Sequence, residues 1–345
     1  MGGYVKKIFL LVVLAICVCF MQGCNSKQLN ERMIIQGIGI DYIEDEYKVT
    51  VMYMNTDEGQ QDITHKTTVG SGRTVTEAVA SIVSQNGLEP LYSHNSFILL
   101  GNGLCREGVE EAMEFFAGYY QCRPSVNVLT AENEANEIMM LEGITPRTIS
   151  DIADSENADG RTLAMPMYIF MSDILNETTT ACTSVITAEN DVPRSDGVAL
   201  FKGDKLIKTL GSSDAMGVML VRGESDITAE VIPLDGKSKS FALSQENTEI
   251  NVRVEKGVLY CNIFIKGEAT VYEYTSTSKE LEGKIEERLN KIAENAISAC
   301  TESGADVFYL GKRLRQSDYE MYCTINDWSS LIKNGVYTVS SEVSL

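Results

Sequence analysis

The first 24 residues constrain this chain more than any other feature, because they separate a short export-type leader from a long body. Lys6 and Lys7 precede an uncharged apolar run at residues 8–21, and Cys24 follows closely. A basic start, a short apolar core and a small residue before the cleavage point are the parts of a secretory signal. The run is shorter than the roughly 20 apolar residues that span a bilayer, so a spanning anchor is the weaker interpretation. We therefore predict a signal peptide at residues 1–23.

The cysteine at the first mature position makes this leader resemble a lipoprotein signal. The segment Met21-Gln22-Gly23-Cys24 is similar to the bacterial lipobox, although Gln22 replaces the usual small residue. A thiol there can carry a diacylglyceryl group, and two acyl chains at about 0.8 kcal/mol per CH₂ anchor a protein stably. We expect lipidation of Cys24 with palmitate-type chains and a lipid-anchored tether at residues 24–30. The alternative is a cleaved export signal in which Cys24 is unmodified.

The charge of the chain excludes several classes of partner. It carries 49 acidic and 29 basic side chains, a net charge of −20, and cleavage would remove two of the basic ones. A nucleic-acid-binding protein presents a basic face, so no nucleic acid partner is expected. Adhesion to an anionic bilayer through a polybasic patch is excluded for the same reason. The lipid would therefore have to hold the body at the membrane.

The cysteines after Cys24 do not form a recognisable metal set. No C-x-x-C pair and no nearby histidine accompanies them: Cys105, Cys122, Cys182, Cys261, Cys300 and Cys323. We expect them to be buried, small apolar residues. A disulfide between Cys105 and Cys122 is the alternative for that pair. No metal or cofactor is predicted.

Strands and helices alternate in the first half of the body. Period-two alternation predicts two strands at residues 33–42 and 47–54, joined by an acidic turn. Thr74 and Glu77 form a capping-box pattern for a helix that Gly87 ends. A strand is predicted at residues 91–100, where the apolar run is typical of a covered sheet. Such alternation is typical of an α/β or α+β domain.

The second half shows two hairpins and one long helix. Strands at 197–202 and 205–210 flank a Gly-Asp turn, and a second hairpin turns at residues 255–257. A helix at 278–301 carries a continuous apolar stripe. We predict an α+β fold of three domains of mixed β-sheets with packed helices: an N-terminal α/β domain at 31–192, a central hairpin-plus-helix domain at 193–235, and a C-terminal α+β domain at 236–345.

Several motifs, in this order and spacing, resemble the Ger(x)C family of spore germination lipoproteins. They are Cys24, ERMIIQGIGID at 31–41, TEA at 76–78, HNSF at 94–97, GVALFKGDKL at 197–206, ADVFYLG at 305–311, and Trp328. The resemblance implies three domains of mixed sheet and helices, and the C subunit of a nutrient germinant receptor. It also implies assembly with membrane subunits A and B on the outer face of the spore inner membrane.

The segment GIGID at 37–41 superficially matches a dinucleotide-binding fingerprint. It lacks the third glycine and continues as a strand, where a phosphate loop must open a helix. We interpret Gly37 and Gly39 as a structural motif at which a neighbouring group approaches the sheet closely. Asp41 is expected to end the strand and bond to the following turn.

The chain offers few candidates for catalysis. His65 and His94 are its two histidines, and we interpret both as surface or packed side chains. No metalloprotease helix motif, nucleophile elbow or nucleotide-binding loop is present. We therefore expect a non-catalytic subunit needed for nutrient-triggered germination. The alternative function is a solute-binding lipoprotein of a transporter, which requires a pocket with convergent polar groups.

Two aromatic and methionine-rich stretches are candidate partner contacts. They contain Tyr119 with Tyr120, and Met167 with Tyr168. Such side chains are enriched at adaptable interfaces, although core packing explains them equally well.

Overall fold

The computed structural model describes residues 32–55, 64–118, 122–153, 161–234, 236–272 and 279–345, together with positions 4, 6 and 9. Apart from those three positions, the predicted signal peptide lies outside this part, as do Cys24 with its tether, Tyr119 and Tyr120. Within the described residues no helix is both long enough and apolar enough to cross a bilayer.

A nine-stranded mixed sheet is built from the chain up to Leu210. Its strands are β1 (Arg32–Ile43), β2 (Glu46–Asn55), β3 (Thr64–Gly72), β4 (Glu89–Leu91), β5 (Phe97–Leu100), β6 (Asn127–Ala131), β7 (Ala181–Glu189), β8 (Val192–Lys202) and β9 (Lys205–Leu210). The order is β3-β2-β1-β5-β6-β7-β8-β9, with β4 beside β1. Strands β1, β5, β6 and β7 pair in parallel, and antiparallel strands complete both sides.

Helices cover both faces of this sheet, which explains the uninterrupted apolar run of β5. The helices are α1 (Val75–Asn86), α2 (Asn102–Glu107), α3 (Glu110–Gly118), α4 (Ala135–Met139), α5 (Pro146–Ala153), α6 (Met167–Ile174) and α7 (Ser212–Arg222). Helices α4 and α5 contribute to a separate core around Phe97 and Leu129. The other five helices contribute to the main core.

A four-stranded sheet with its own long helix follows. The sheet has the order β10-β11-β12-β13. Its elements are β10 (Ile227–Leu234), β11 (Lys237–Glu255), β12 (Val258–Val271), α8 (Lys279–Thr301), α9 (Leu310–Ser317), α10 (Tyr319–Cys323), α11 (Trp328–Lys333) and β13 (Val336–Ser344). Helix α8 buries the predicted apolar stripe, including Ile285 and Leu289. That stripe belongs to the same main core as the first sheet.

The two sheets are joined by direct packing of helix α7 against helix α8. Gly217 of α7 lies so close to α8 that a Cβ there would be 2.5 Å from the Ala296 Cβ and 2.6 Å from the Ile292 carbonyl oxygen. Since real Cβ atoms do not approach other atoms this closely, the helix contact requires glycine at this position.

The predicted α+β fold class is confirmed, and its long or strongly patterned elements are present. Thr74 accepts a hydrogen bond from the Glu77 N–H as predicted, and Gly87 ends α1 with φ of 69°. The Glu77 carboxylate accepts from the Arg73 N–H instead of from Thr74. The strand predicted at 91–100 is interrupted: β4 and β5 are separated by a short 3-10 turn at Tyr92–His94.

Strand β7 was not predicted, because its centre is polar by composition. Thr183 and Ser184 are fully buried. The Thr183 hydroxyl lies 2.7 Å from the Thr130 hydroxyl, and the Ser184 hydroxyl accepts from the Leu163 N–H at 2.6 Å. These bonds remove the cost of burying hydroxyl groups, so the segment enters the sheet without an apolar pattern.

The three-domain division stays a prediction. Its boundary between residues 192 and 193 lies at the start of β8, which pairs with β7 in the large sheet. Its boundary between 235 and 236 lies between β10 and β11, which pair with each other.

Replacing Gly217 with Ala should destabilise the protein, because the added methyl group overlaps α8. Overpacking of this kind costs about 1–3 kcal/mol. The matched control is Gly283→Ala in α8, where a Cβ meets nothing within 4 Å. The control should gain roughly 0.5–1 kcal/mol from helix propensity. Urea unfolding of both variants measures the difference, and equal stabilisation by both would contradict the proposed packing.

Candidate functional site

Two glycines of β1 allow close approach to the strand, and Gly39 is the one that lets helix α4 lie directly on it. A Cβ on Gly39 would be 2.5 Å from the Met139 sulfur and 3.1 Å from the Ala135 Cβ. A Cβ on Gly37 would overlap the ring of Phe97 on β5. The close approach expected from the sequence is therefore visible at both positions, and the groups that approach are side chains of α4 and β5.

Asp41 bonds to helix α4 and not to the hairpin turn that we expected. Its two carboxylate oxygens accept from the Ala135 N–H at 2.7 Å and the Asn136 N–H at 2.9 Å. Burial raises the pKa of Asp41, while these two bonds oppose the rise. The difference arises because the Asp41 carboxylate bonds to the unpaired first amides of a helix that begins 94 residues later in the sequence. Local sequence gives no indication of that partner.

The two histidines are not brought together. His65 lies on β3 at one edge of the large sheet, and His94 lies in the turn before β5. Strands β2 and β1 separate the two elements in the sheet order. Among the described residues, no group of three or more His, Cys, Asp or Glu side chains is placed to hold a metal ion.

The cysteines of the described body are unpaired. The alternative of a Cys105–Cys122 disulfide is therefore wrong for this structure. Cys105, Cys182, Cys261 and Cys300 are buried as expected, whereas Cys323 is exposed. Burial raises the pKa of Cys105 to about 12 and that of Cys182 to about 11, so these thiols are protonated at neutral pH.

The candidate partner contacts differ in their exposure. Met167 is 4% exposed and belongs to the main core, whereas Tyr168, its neighbour on α6, is 57% exposed. Tyr168 is therefore the one of this pair whose side chain is available on the surface.

A second buried aspartate joins the two sheets. Asp306 is 1% exposed, and its carboxylate accepts from the Leu310 N–H at 2.9 Å and the Gly311 N–H at 2.8 Å. The indole N–H of Trp328 donates to the same carboxylate at 3.1 Å. One side chain thus fixes the start of α9 and the start of α11.

The backbone of Asp306 is tied to the segment that enters β7. Its N–H donates to the Thr180 hydroxyl, and the Thr180 N–H donates to the Asp306 carbonyl, each at 3.0 Å. A Cβ on Gly311 would be 2.9 Å from the Thr178 Cβ and 3.1 Å from the Trp328 ring. We call Thr180, Asp306, Gly311 and Trp328, with Leu310, the Asp306 junction.

A chain of polar side chains extends from this junction across α6 and α7. The Tyr309 hydroxyl donates to the Asp173 carboxylate at 2.8 Å, and the Arg222 guanidinium lies 4.9 Å from the centre of the Tyr309 ring. Arg222 also donates to the Val307 carbonyl at 3.2 Å and pairs with Glu224 at 3.2 Å. The chain thus ties α6, α7 and the loop before α9 into one unit.

Tyr309 adopts a backbone conformation that side chains rarely take. Its φ and ψ are 58° and 34°, in the left-handed region. Such a position costs free energy and persists only where surrounding contacts hold it. The hydroxyl bond to Asp173 and the stacking against Arg222 provide these contacts.

Burial dominates the electrostatics of the junction. Desolvation raises the pKa of Asp306 to about 6, although its backbone donors and Trp328 favour the charged form. Burial also raises the pKa of Asp173, opposed by the Tyr309 hydrogen bond and by Arg222 and Lys312. Both carboxyl groups are engaged in structural hydrogen bonds, so the arrangement is suited to holding elements together.

A groove of about 300 Å³ lies beside the junction. It is lined by residues 174–180, by Lys202 and Gly203 of the β8–β9 turn, and by Trp328. The groove therefore has walls from both halves of the molecule, and the junction sets their separation.

Sequence reasoning found part of this junction and missed the rest. Asp306, Gly311 and Trp328 were noted within the family motifs, without a role. Tyr309 lies within the same ADVFYLG motif and was likewise given no role, whereas Arg222 and Asp173 were not identified. The local signal for Arg222 is that it follows the apolar run at residues 215–221.

Asp306 should make folding stability fall as the pH rises from about 4 to 6. The raised folded pKa means that the folded chain retains a proton there that the unfolded chain has released. This group alone should account for a loss on the order of 3 kcal/mol. Asp306→Asn removes this contribution, so the stability advantage of the wild type over the variant should shrink with pH. Urea unfolding at pH 4.5, 5.5 and 7 measures the difference in free energy of unfolding between the wild type and the variant. A difference that stays constant or grows as the pH rises would contradict the prediction.

Tyr309→Phe should destabilise the protein by about 1–3 kcal/mol, because the buried Asp173 carboxylate loses its donor. The ring and its stacking against Arg222 are retained in this variant. Tyr322→Phe is the control, since the described residues give no hydrogen bond to its hydroxyl. The control should change stability by less than about 0.5 kcal/mol. Thermal unfolding compares the two, and equal effects would contradict the role of the hydroxyl.

Comparison with known proteins confirms the resemblance inferred from the motifs. The family described as "Spore germination protein N-terminal domain" matches residues 25–188, and "Spore germination B3/ GerAC like, C-terminal" matches residues 196–345. "Putative spore germination protein YfkR" of Bacillus subtilis (strain 168) is 22% identical over 326 residues, covering 85% of this chain and 83% of that protein.

The fold is also similar to a solved structure. "Crystal Structure of the GerBC protein" superposes with a TM-score of 0.60 at 19% sequence identity, covering 93% of this chain and 99% of that chain. The α+β arrangement described above is therefore shared with that protein. Because the two family matches together extend over nearly all of the chain after Cys24, the chain belongs to the Ger(x)C family of spore germination proteins.

Proposed function

We propose that this protein is the lipid-anchored C subunit of a nutrient germinant receptor and has no catalytic role. In this proposal, acylated Cys24 holds the body on the outer face of the spore inner membrane. There it assembles with membrane subunits A and B, and the assembly responds to a nutrient.

The observation that carries the proposal is where the family match begins. It starts at residue 25, directly after the cysteine of the lipobox-like segment. The family body therefore follows the expected lipidation site without an intervening segment. This placement supports a mature protein whose first residue carries the anchor.

The chemistry of the described body supports an assembly role. Its buried thiols have raised pKa values, and its two fully buried aspartates, Asp41 and Asp306, are occupied with backbone amides. The two aspartates hold short helices in place, and the thiols are packed in the core. They are therefore explained by the structure without invoking a reaction.

The physical mechanism is confinement to a surface. A tether keeps the body near its membrane partners and raises their effective concentration, so modest protein contacts suffice for assembly. The Asp306 junction contributes by keeping both sheets in one fixed arrangement, which lowers the ordering cost of binding.

Cys24→Ala should release the protein from the membrane and reduce nutrient-triggered germination. Without the thiol no diacylglyceryl group can be attached, and the net negative charge of the body opposes adhesion to an anionic bilayer. Cys323→Ala is the matched control, since Cys323 is an exposed cysteine of the body. Membrane fractionation, mass spectrometry of the first mature residue and germination assays provide the readouts. Retention of the Cys24→Ala protein in the membrane fraction would refute the anchor.

A further inference from the structure

Helix α9 carries basic side chains that form no close ion pair within the described part of the chain. Lys312, Arg313 and Arg315 lie on the helix, which contains no acidic residue. Within the described part of the chain, none of the three has a carboxylate at ion-pair distance. Arg313 makes one long contact, from Nε to the Phe308 carbonyl at 3.5 Å. A chain with a net charge of −20 therefore leaves a local cationic surface available.

This helix lies beside a strand edge that is only partly covered. Strand β10 pairs with β11 from Lys237 to Leu243. Strand β11 continues to Glu255, and from Asn247 onward the pairing described for it is with β12 alone. The second half of β11 therefore has an open edge on the side away from β12.

The hairpin geometry identifies which backbone groups point to this open edge. The β11–β12 turn has two central residues with φ of 52° and 77°, as in a type I′ turn. The flanking pair Glu255–Val258 is then a hydrogen-bonded pair, and pairs alternate along an antiparallel ladder. The N–H and C=O groups of Ile250, Val252 and Val254 consequently point away from β12.

A groove of about 440 Å³ separates this edge from α9. Residues 250–253 form one wall, and Arg313, Gln316 and Ser317 form the other. Its two charged lining residues are both arginines. The Nε of Arg253 is paired with Glu255 at 2.8 Å, and its guanidinium lies 4.9 Å from the Tyr260 ring centre. Arg313 is thus the uncompensated charge, and Arg253 is partly compensated.

We propose that this groove binds an extended acidic segment of a protein partner, which adds as a strand to the open edge of β11. The backbone of the segment pairs with the outward groups of Ile250 and Val252. Its carboxylates face Arg313 and Arg253. Main-chain bonds supply the affinity in strand addition, and side-chain contacts supply the selection.

A strand-forming acidic peptide fits the groove better than an anionic lipid headgroup. A headgroup would satisfy the arginines but leave the outward N–H and C=O groups of β11 without partners from the ligand. The charge of the protein itself disfavours a second copy of this chain, since two bodies of net charge −20 repel each other. In the proposed receptor, the segment would belong to a membrane subunit; that assignment rests on the proposed function.

Fluorescence anisotropy with the purified full chain in detergent tests the groove. The probe is a labelled octapeptide of alternating Thr and Glu. We expect saturable binding that weakens as salt rises, because opposite charges are screened. Arg313→Glu should weaken binding at least about tenfold. Arg315→Glu makes the same charge change on the same helix outside the groove lining, and should change binding by less than about threefold.

Two further probes and one variant separate strand addition from charge attraction. The Thr-Glu peptide with an N-methyl group on every residue should bind at least about tenfold more weakly, because neither of its edges then carries the N–H groups that pair with a strand edge. Val252→Pro removes one outward N–H and should weaken binding of the unmodified peptide, with circular dichroism confirming the fold. Equal binding of the methylated and unmodified peptides would overturn the proposal. Binding to phosphatidylglycerol vesicles without peptide binding, equal loss in Arg313→Glu and Arg315→Glu, or no peptide binding would also overturn it.

Failure of this inference is distinguishable from failure of the proposed function. In spores, Arg313→Glu should leave the protein in the membrane fraction while reducing its co-purification with membrane subunits. Cys24→Ala tests the anchor alone. If Cys24→Ala is released from the membrane and Arg313→Glu still co-purifies with the membrane subunits, the proposed peptide binding in the groove is rejected. The receptor assignment is then unaffected.

Discussion

The carboxylate of Asp306 is the interaction on which the arrangement of the two sheets depends. A carboxylate removed from water is costly unless donors replace its hydration, and here the donors come from the starts of α9 and α11. The same residue exchanges two backbone hydrogen bonds with Thr180 at the entrance to β7. Moving either helix, or the segment before β7, would leave part of this buried group unsatisfied.

Asp41 is a second buried carboxylate, in the first sheet, that is stabilised by backbone donors at the start of a helix. Both aspartates accept two backbone amides at the start of a short helix, and both lie near a glycine that permits close approach, Gly39 and Gly311. Helices of five and eight residues are not stable alone, because nucleation is costly and few bonds follow it. The buried carboxylates therefore stabilise elements that the sequence would not form by itself. This also fixes the position of α9, and with it one wall of the basic groove.

Secondary structure was predictable where a pattern repeated over many residues. The α8 stripe, the hairpin of β1 and β2, and the N-cap at Thr74 are local signals, so they appear in the structure as expected. Strand β7 was missed because Thr183 and Ser184 become compatible with burial only through partners on other segments. The Asp41 contact was misassigned for the same reason, since its donors lie 94 and 95 residues away.

The sequence by itself determined the acidic character of the chain, the α+β class and the family. Each of these properties follows from composition, periodicity or motif order, and none of them depends on which residues are close in space. Tertiary structure alone decided that Asp306, Trp328 and Thr180 meet, that Tyr309 bridges Asp173 and Arg222, and that α9 faces an open strand edge. These groups lie 22 to 136 residues apart in the sequence, and only the packed core brings them together.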